Sequence, residues 1–247
     1  MKSSATWSAR PASPSQLPIA EYTPAELMAA VIARQVVDGE SVGVGVNSPV
    51  PTAGVLLARR THAPNIKLRA PGIEDSVPFV GSKEFFDFAQ RGKLDLFFFS
   101  AAQIGAGGAL NLHALGDYQR PHKRLPGAFG SAVLYQVTRR VILFRMEHSP
   151  RTLVEKVDFV SATGTPELLV TPAAVLAFDR VKGRFELASY HPGHSVESVR
   201  AATGFDLGAR ADVHETREPT TAELALLRGP VAAEMAAVYP RYAGSVR

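Results

Sequence analysis

A short apolar strand that leads directly into glycine-rich loops is the feature that most constrains the fold of this chain. Residues 94–99, LDLFFF, form an apolar, aromatic run of the length expected for a buried strand. The residues that follow are small and include Gly105, and a second glycine turn lies at 125–130. Because ligands of open α/β sheets bind outside the carboxyl ends of the strands, both loops are predicted to border a ligand. The same glycines would equally suit tight turns and close packing.

Helix and strand signals alternate through the first half of the chain. Thr23 and Glu26 have the spacing of a capping box, and Pro24 fits the first turn of the helix that follows. The patterns predict helices from residue 23, over 52–61 and from Ser82 to about Gly92, and strands over 41–46, 65–69 and 94–99. Helices that alternate with strands across short connections are typical of a parallel sheet covered by helices.

Short apolar runs separated by turn residues dominate the chain beyond Gly130. They predict strands over 141–145, 157–160, 168–171, 175–179 and 185–190, with a hairpin turn at 181–184. The predicted fold class is therefore α/β, an open and mainly parallel sheet flanked by helices, with a β-richer C-terminal half. Residues 21–247 are predicted to form one domain, and residues 1–20, rich in Ser, Ala and Pro, a flexible N-terminal tail.

The composition excludes several classes of function. The 247-residue chain contains no cysteine, which excludes disulfides, thiolate catalysis and cysteine metal sites. No apolar run reaches the length of a membrane span or of a secretory signal, so a cytoplasmic protein without membrane contact is predicted. The net charge of +4 is dispersed and no nucleic-acid motif accompanies it, which argues against a nucleic-acid partner. His191 and His194 lack the spacing and companions of a zinc site, so no metal is predicted.

A glycine-containing loop follows the predicted strand at 41–46. It carries two glycines of a dinucleotide-binding loop but lacks the third, and no helix opens directly behind it. The loop could offer backbone N–H groups and the side chains of Asn47 or Ser48 to a carbonyl oxygen, as an oxyanion site does. A plain strand-to-helix turn would suit the same residues.

Several motifs occur along the chain in an order and spacing that together are specific. They are the loop at 45–51, LLA at 56–58 with HAPN at 62–65, AAQ at 101–103, Asn111, GDY at 116–118, RP at 120–121, RLPG at 124–127, HPG at 191–193, TGFDL at 203–207, and EPT at 218–220 with LLR at 226–228. With these motifs, residues 21–235 resemble the beta subunit of class I coenzyme A transferases, of the glutaconate CoA-transferase type.

The resemblance implies an open α/β chain that encloses an acyl-CoA together with an alpha subunit, as a heterodimer or an α2β2 assembly. CoA is then part of the substrate, and no separate cofactor is implied. In such enzymes a glutamate of the beta chain attacks the thioester, and amides of the glycine loops hold the oxyanion. The substrate-binding residues that the resemblance implies here are Asn47, Ser48, Gln103, Gly105, Gly127, Ala128 and Gly130.

The chain departs from the family pattern at the chemistry. The family's glutamate follows the strand at 65–69, where this chain has Ala70, and alanine cannot act as a nucleophile. Glu74, the nearest carboxylate, is the remaining catalytic candidate, across a proline and a glycine. Asn47 stands where transferases have a glycine, and Ala128 and Phe129 stand in a loop that is glycine-rich in the family.

Loss of the glutamate on a retained scaffold is similar to one branch of the family. That branch hydrolyses a carbon–carbon bond of a cyclic acyl-CoA in steroid-ring degradation, and its catalytic carboxylate belongs to the alpha chain. Three interpretations follow for this chain. It is a transferase subunit that acts on an acyl-CoA thioester, a subunit of a ring-opening acyl-CoA hydrolase, or a non-catalytic subunit that stabilises its partner.

Overall fold

Helices and strands alternate along the N-terminal half, as the sequence predicts. The computed structural model describes residues 21–74, 76, 79 and 81–246, so the predicted tail at 1–20 lies outside the described residues. The first elements are α1 (Pro24–Ala33), β1 (Ser41–Val44), α2 (Pro49–Arg59), β2 (Lys67–Arg69), α3 (Ser82–Gln90) and β3 (Leu96–Phe99).

Beyond β3 the described chain is richer in strands. The strands are β4 (Gln103–Gly105), β5 (Leu110–Asn111), β6 (Ala114–Leu115), β7 (Lys123–Arg124), β8 (Arg140–Phe144), β9 (Leu153–Val154), β10 (Leu168–Val170), β11 (Ala174–Asp179), β12 (Arg184–Tyr190) and β13 (Gly208–Glu215). The helices are α4 (Ser131–Val137), α5 (Val196–Ala201), α6 (Thr221–Leu226), a π-helical turn (Leu227–Val231), α7 (Ala232–Met235) and α8 (Pro240–Ser245). Within the described residues, none of the helices combines the length and the apolar character that a membrane span requires.

One large sheet organises the described residues. Its eight strands have the order β13-β12-β11-β10-β8-β3-β1-β2. The strands from β2 to β10 are parallel to their neighbours, β11 is antiparallel to β10 and β12, and β13 is parallel to β12. Two smaller sheets have the orders β5-β4-β9 and β6-β7. The predicted α/β class, with an open and mainly parallel sheet and a β-richer C-terminal half, is confirmed.

The two faces of the large sheet bury different sets of side chains. On one face, Val42, Val44 and Phe98 belong to a core shared with α1, α2 and the C-terminal helices. On the other face, Phe97 and Phe99 belong to a second core shared with α3, α4 and α5. Successive side chains of a strand point to opposite faces, so alternate residues of β1 and β3 serve different cores.

The first helix shows how the sequence fixes local structure. Thr23 Oγ1 accepts a hydrogen bond from the Glu26 N–H and the Glu26 carboxylate accepts one from the Thr23 N–H, so the predicted capping box is confirmed. The same carboxylate is fully buried and accepts the Arg228 Nε–H at 2.6 Å. Burial alone would raise the pKa of Glu26, but the hydrogen bonds from Arg228 and Thr23 outweigh it and lower the pKa. This ion pair ties the π-helical turn to α1.

Two predicted helix starts differ from the structure. The second helix begins at Pro49 and not at residue 52, because a proline at the first helical position gives up an N–H that has no partner there. The third helix is preceded by Gly81 as its cap, so Ser82 is its first residue and not its cap.

The strand predicted over 157–160 is absent from this described segment. The N–H of Asp158 donates to Oε1 of Gln103, and the Asp158 carboxylate accepts the N–H of Gly116. These bonds occupy the segment with side-chain contacts where a strand would need a backbone ladder.

Candidate active site

A cavity of about 480 Å³ opens where β1 and β2 end, on the face of the sheet that α3 covers. Its walls come from segments that are distant in sequence: the ends of β1 and β2 with the loops that follow them, α3, β3 and the second glycine loop. The lining is mostly apolar and is dominated by five aromatic rings, those of Phe79, Phe85, Phe86, Phe97 and Phe129. The position agrees with the rule that ligands of open α/β sheets bind outside the carboxyl ends of strands.

Gly43 makes room for the aromatic wall. In β1 it pairs with Arg69 of β2 on one side and with Phe97 of β3 on the other. A Cβ built on Gly43 would lie 2.6 Å from Cδ2 of Phe97, so the ring lies over the glycine backbone. The Phe97 ring also contacts the rings of Phe85 and Phe99, at centroid distances of 5.9 and 4.7 Å. Glycine at this strand position therefore decides where the Phe97 wall of the cavity stands.

Arg69 is the one ionisable group among the described residues that line the cavity. Its Nε–H donates to Oγ of Ser41 at 3.2 Å. Its guanidinium carbon lies 4.1 Å from the ring centroid of Phe88 and 4.8 Å from that of Phe79, which is cation–π geometry. Burial lowers the pKa of Arg69, and the nearby Glu84 carboxylate opposes this shift. Arginine nonetheless stays protonated in proteins, so the cavity contains a fixed positive charge.

Ala70 lies in the cavity wall directly after β2 and is 4% exposed. Glu74 is exposed and lies outside the cavity lining, and Asp75 lies outside the described residues. The Oγ of Ser76, which also lines the cavity, accepts the Ala70 N–H at 2.7 Å. Among the lining residues that the structure describes there is no Asp, Glu, His or Lys. This wall can bind and shield a substrate, but its described residues supply no carboxylate nucleophile or general base.

The loop after β1 reaches the cavity through Gly45 and Val46. Asn47 is exposed and has a φ of 55°, in the left-handed region that favours glycine. Ser48 is buried, its Oγ lies 3.3 Å from the Val46 carbonyl to which it donates, and its own carbonyl accepts the Thr52 N–H of α2. Asn47 and Ser48 thus border the cavity without lining it, and their contacts with a substrate stay a prediction.

The second glycine loop closes another side of the cavity. Phe129 lines the cavity, is 88% exposed and has a φ of 48°. Its ring lies against Phe86 of α3, with centroids 5.5 Å apart. Gly130 approaches Phe86 so closely that a Cβ there would collide with the ring. Gly127, Ala128 and Gly130 therefore belong to a loop at the cavity, and their contacts with a substrate stay a prediction.

Asn47 and Phe129 share an unusual backbone conformation. They are the non-glycine residues with positive φ in the described part of the chain. Both lie in loops where the family pattern favours glycine. The backbone keeps a conformation that glycine adopts freely, at about 1 kcal/mol for each residue, and gains a side chain beside the cavity mouth.

Gln103 and Gly105 lie in β4, in the small sheet that follows β3. The Gln103 side-chain oxygen accepts hydrogen bonds from Nδ2 of Asn111 at 2.8 Å and from the N–H of Asp158 at 3.0 Å. Neither Gln103 nor Gly105 lines the cavity. Of the three predicted loops, the structure brings two to the cavity, and substrate contacts of the third stay a prediction.

Two buried histidines form a network apart from the cavity. The ring nitrogens of His148 lie 2.8 Å from Oγ1 of Thr171 and 3.0 Å from Oγ1 of Thr203, and Nδ1 of His191 lies 2.9 Å from Oγ1 of Thr216. Burial lowers the pKa of both histidines to about 4, so they are neutral at pH 7. Across the described ranges, no three His, Asp or Glu side chains converge as metal ligands. We interpret the histidines as structural.

The sequence analysis missed Arg69 and the aromatic wall. The alternation of β2 was visible, since Leu68 is buried between Lys67 and Arg69. The pairing that sets Arg69 beside Gly43, and Gly43 beside Phe97, links residues far apart in sequence and leaves no local signal.

An open parallel sheet whose strand ends border a substrate-sized cavity defines an α/β protein with a ligand site at its loops. The coenzyme A transferase family pattern matches residues 73–202, more than half of the chain. The chain therefore belongs to the coenzyme A transferase family, which confirms the resemblance found in the sequence.

Relatives of this chain differ in the reaction that their names describe. The beta-type subunit of glutaconate CoA-transferase from Acidaminococcus fermentans is 29% identical over 249 residues, covering 84% of this chain and 91% of that protein. The IpdB subunit of a cholesterol ring-cleaving hydrolase from Rhodococcus jostii is 27% identical, covering 85% of this chain and 92% of that protein. Among solved structures, a chain of the decarboxylase AibA/AibB has a TM-score of 0.76 and 29% identity, covering 86% of this chain and 98% of that chain. Both branches named in the sequence analysis, transferase and ring-cleaving hydrolase, are thus represented among the relatives.

Proposed function

We propose that this chain is the beta subunit of a two-subunit enzyme that acts on an acyl-CoA thioester. Its similarity to the beta-type chain of a glutaconate CoA-transferase and to the IpdB chain supports this, at coverage above four fifths of either protein. The partner is the corresponding alpha subunit, in a heterodimer or an α2β2 assembly. CoA is part of the substrate, and no separate cofactor is required. The cytoplasmic location stays a prediction.

The division of labour between the subunits rests on one observation, the composition of the cavity wall. Ala70 stands where the transferase pattern has its glutamate, and the described lining contains no carboxylate. This subunit therefore provides the apolar wall for the acyl group and a fixed positive charge from Arg69. The reactive carboxylate comes from the alpha subunit. An apolar wall strengthens the electrostatic interactions of that carboxylate by excluding water.

The reaction that fits a beta subunit without a nucleophile is hydrolysis of a carbon–carbon bond in a cyclic acyl-CoA. Transfer of CoA through a glutamyl thioester on this chain needs a carboxylate in the cavity. Ring opening needs a proton-transfer group, which the alpha subunit can supply, and leaves the thioester intact. A non-catalytic subunit would have no use for a charged, substrate-sized cavity at the strand ends.

The co-purified two-subunit complex tests this proposal with 2-oxocyclohexanecarboxyl-CoA as the probe. The expected product is the ring-opened thioester, heavier by one water, detected by mass spectrometry. Formation of acetyl-CoA from added acetate would instead identify a transferase, and binding of no thioester at all would identify a non-catalytic subunit.

Removal of the remaining candidate carboxylate is the companion test. Glu74→Gln is expected to leave kcat/KM within about 2-fold of wild type, because the carboxylate lies outside the cavity. Glu155→Gln, at an exposed position, is the matched control. A loss of about 1,000-fold or more in Glu74→Gln alone would make Glu74 the nucleophile and overturn the division of labour.

A further inference from the structure

The unsatisfied donors of Arg69 point to a particular feature of the acyl group. We propose that Arg69 binds a free carboxylate on the acyl chain of the thioester, so that this subunit selects acyl-CoA molecules that end in a carboxylate. In the ring-opening reaction this is the carboxylate that the reaction creates. The inference rests on the proposed function and adds the residue that reads the acyl group.

The hydrogen bonding of Arg69 leaves one edge of the guanidinium available. A guanidinium has five N–H donors, and within the described residues Arg69 uses only its Nε–H, toward Ser41. Neither terminal nitrogen has a carboxylate within 4 Å in the part of the chain that the structure describes. A carboxylate is the ligand whose two oxygens match the spacing of these donors.

The guanidinium is held in place before any ligand arrives. Phe79 and Phe88 contact it through their rings, and Ser41 fixes its Nε edge. A side chain fixed in this way loses little conformational freedom when it binds a carboxylate, so more of the interaction contributes to affinity. Glu84 is the charged side chain that faces Arg69 electrostatically from α3, and its opposing effect is smaller than that of burial.

The surroundings distinguish an acyl carboxylate from the phosphates of CoA. The described wall beside Arg69 consists of Ala70, Pro71 and Ile73 with the ring of Phe97, and offers no second positive charge. A diphosphate carries more charge than one arginine neutralises and is poorly matched to an apolar wall. A hydrocarbon chain with one terminal carboxylate matches both the rings and the single charge.

Two thioesters that differ only at the end of the acyl chain test the inference. Pimeloyl-CoA ends in a carboxylate, and heptanoyl-CoA has the same number of acyl carbons and ends in a methyl group. Calorimetry on the two-subunit complex is expected to show pimeloyl-CoA binding about 10-fold to 100-fold more tightly, the range of a charge-assisted hydrogen-bonded pair. Arg69→Met, which keeps length and apolar packing, is expected to abolish that preference by weakening pimeloyl-CoA alone. Arg69→Lys is expected to restore part of it.

Arg91→Met, at an exposed arginine that ends α3, is the matched control and is expected to keep the wild-type preference. Equal binding of the two thioesters by wild type would overturn the inference and leave the proposed function standing. Equal weakening of both thioesters by Arg69→Met would also overturn it, because it would show a contact with CoA or a structural role. If neither thioester binds to the wild-type complex, the proposed function itself is contradicted.

Discussion

Replacing Gly43 by alanine is expected to lower the free energy of unfolding by about 2 kcal/mol and to weaken acyl-CoA binding by the complex. The new Cβ would lie 2.6 Å from Cδ2 and 3.0 Å from Cε2 of Phe97. The Phe97 ring has little room to retreat, because Phe85 and Phe99 pack against it. Movement of the ring toward open space would narrow the cavity that it lines. Urea denaturation and calorimetry with pimeloyl-CoA measure the two effects.

Gly45→Ala is the matched control for the stability part of this prediction. It adds the same methyl group two residues further along the same chain segment, where the nearest atoms are Cζ of Phe97 at 3.8 Å and Oγ of Ser48 at 3.9 Å. These are ordinary van der Waals distances, so a change below about 0.5 kcal/mol is expected. Equal stability losses in the two variants would contradict the assignment of the effect to Phe97.

Gly54→Ala is expected to destabilise the protein by about 2 kcal/mol or more, although alanine is the better helix former. Gly54 lies in α2 where that helix crosses α1, and a Cβ would stand 2.7 Å from the Ala29 carbonyl oxygen and 2.7 Å from Cγ2 of Ile32. A carbonyl within a helix cannot rotate away, so the two helices must separate. Thermal and urea unfolding measure the loss.

The same substitution at Gly244 is expected to have the opposite sign. Gly244 lies in α8, and a Cβ there meets no atom within 4 Å. Only helix propensity then acts, which favours alanine by up to about 1 kcal/mol. A Gly54→Ala variant as stable as Gly244→Ala would show that α1 and α2 do not cross as closely as the structure indicates.

Much of the fold could be predicted because its signals are local. The capping box of Thr23 and Glu26 begins α1, and the turn over 181–184 joins the antiparallel β11 and β12. The start of α2 was predicted three residues late because its prolines were interpreted as loop residues, although Pro49 suits the first helical turn. The failed strand at 157–160 shows that an apolar run does not form a strand when its backbone bonds to side chains of another loop.

The site was predictable only in outline. Glycine-bearing loops after β1 and before α4 indicated the sheet edge, and the structure brings both to one cavity. The parts with most chemical consequence depend on strand pairing, since Gly43 lies between Arg69 and Phe97 only because β1 lies between β2 and β3. The side chain of Gln103 illustrates the converse, because a polar residue in a promising loop bonds to Asn111 within its own small sheet.

Borohydride trapping of the two-subunit complex tests most directly the claim that this chain supplies the binding wall and not the nucleophile. Borohydride reduces a glutamyl–CoA thioester to the alcohol and so lowers the mass of the chain that carries it. After incubation with 2-oxocyclohexanecarboxyl-CoA and borohydride, this chain is expected to keep its mass while the thioester is consumed. A mass loss on this chain that matches reduction of a carboxyl group would contradict the account, and peptide mapping would then identify the carboxylate responsible.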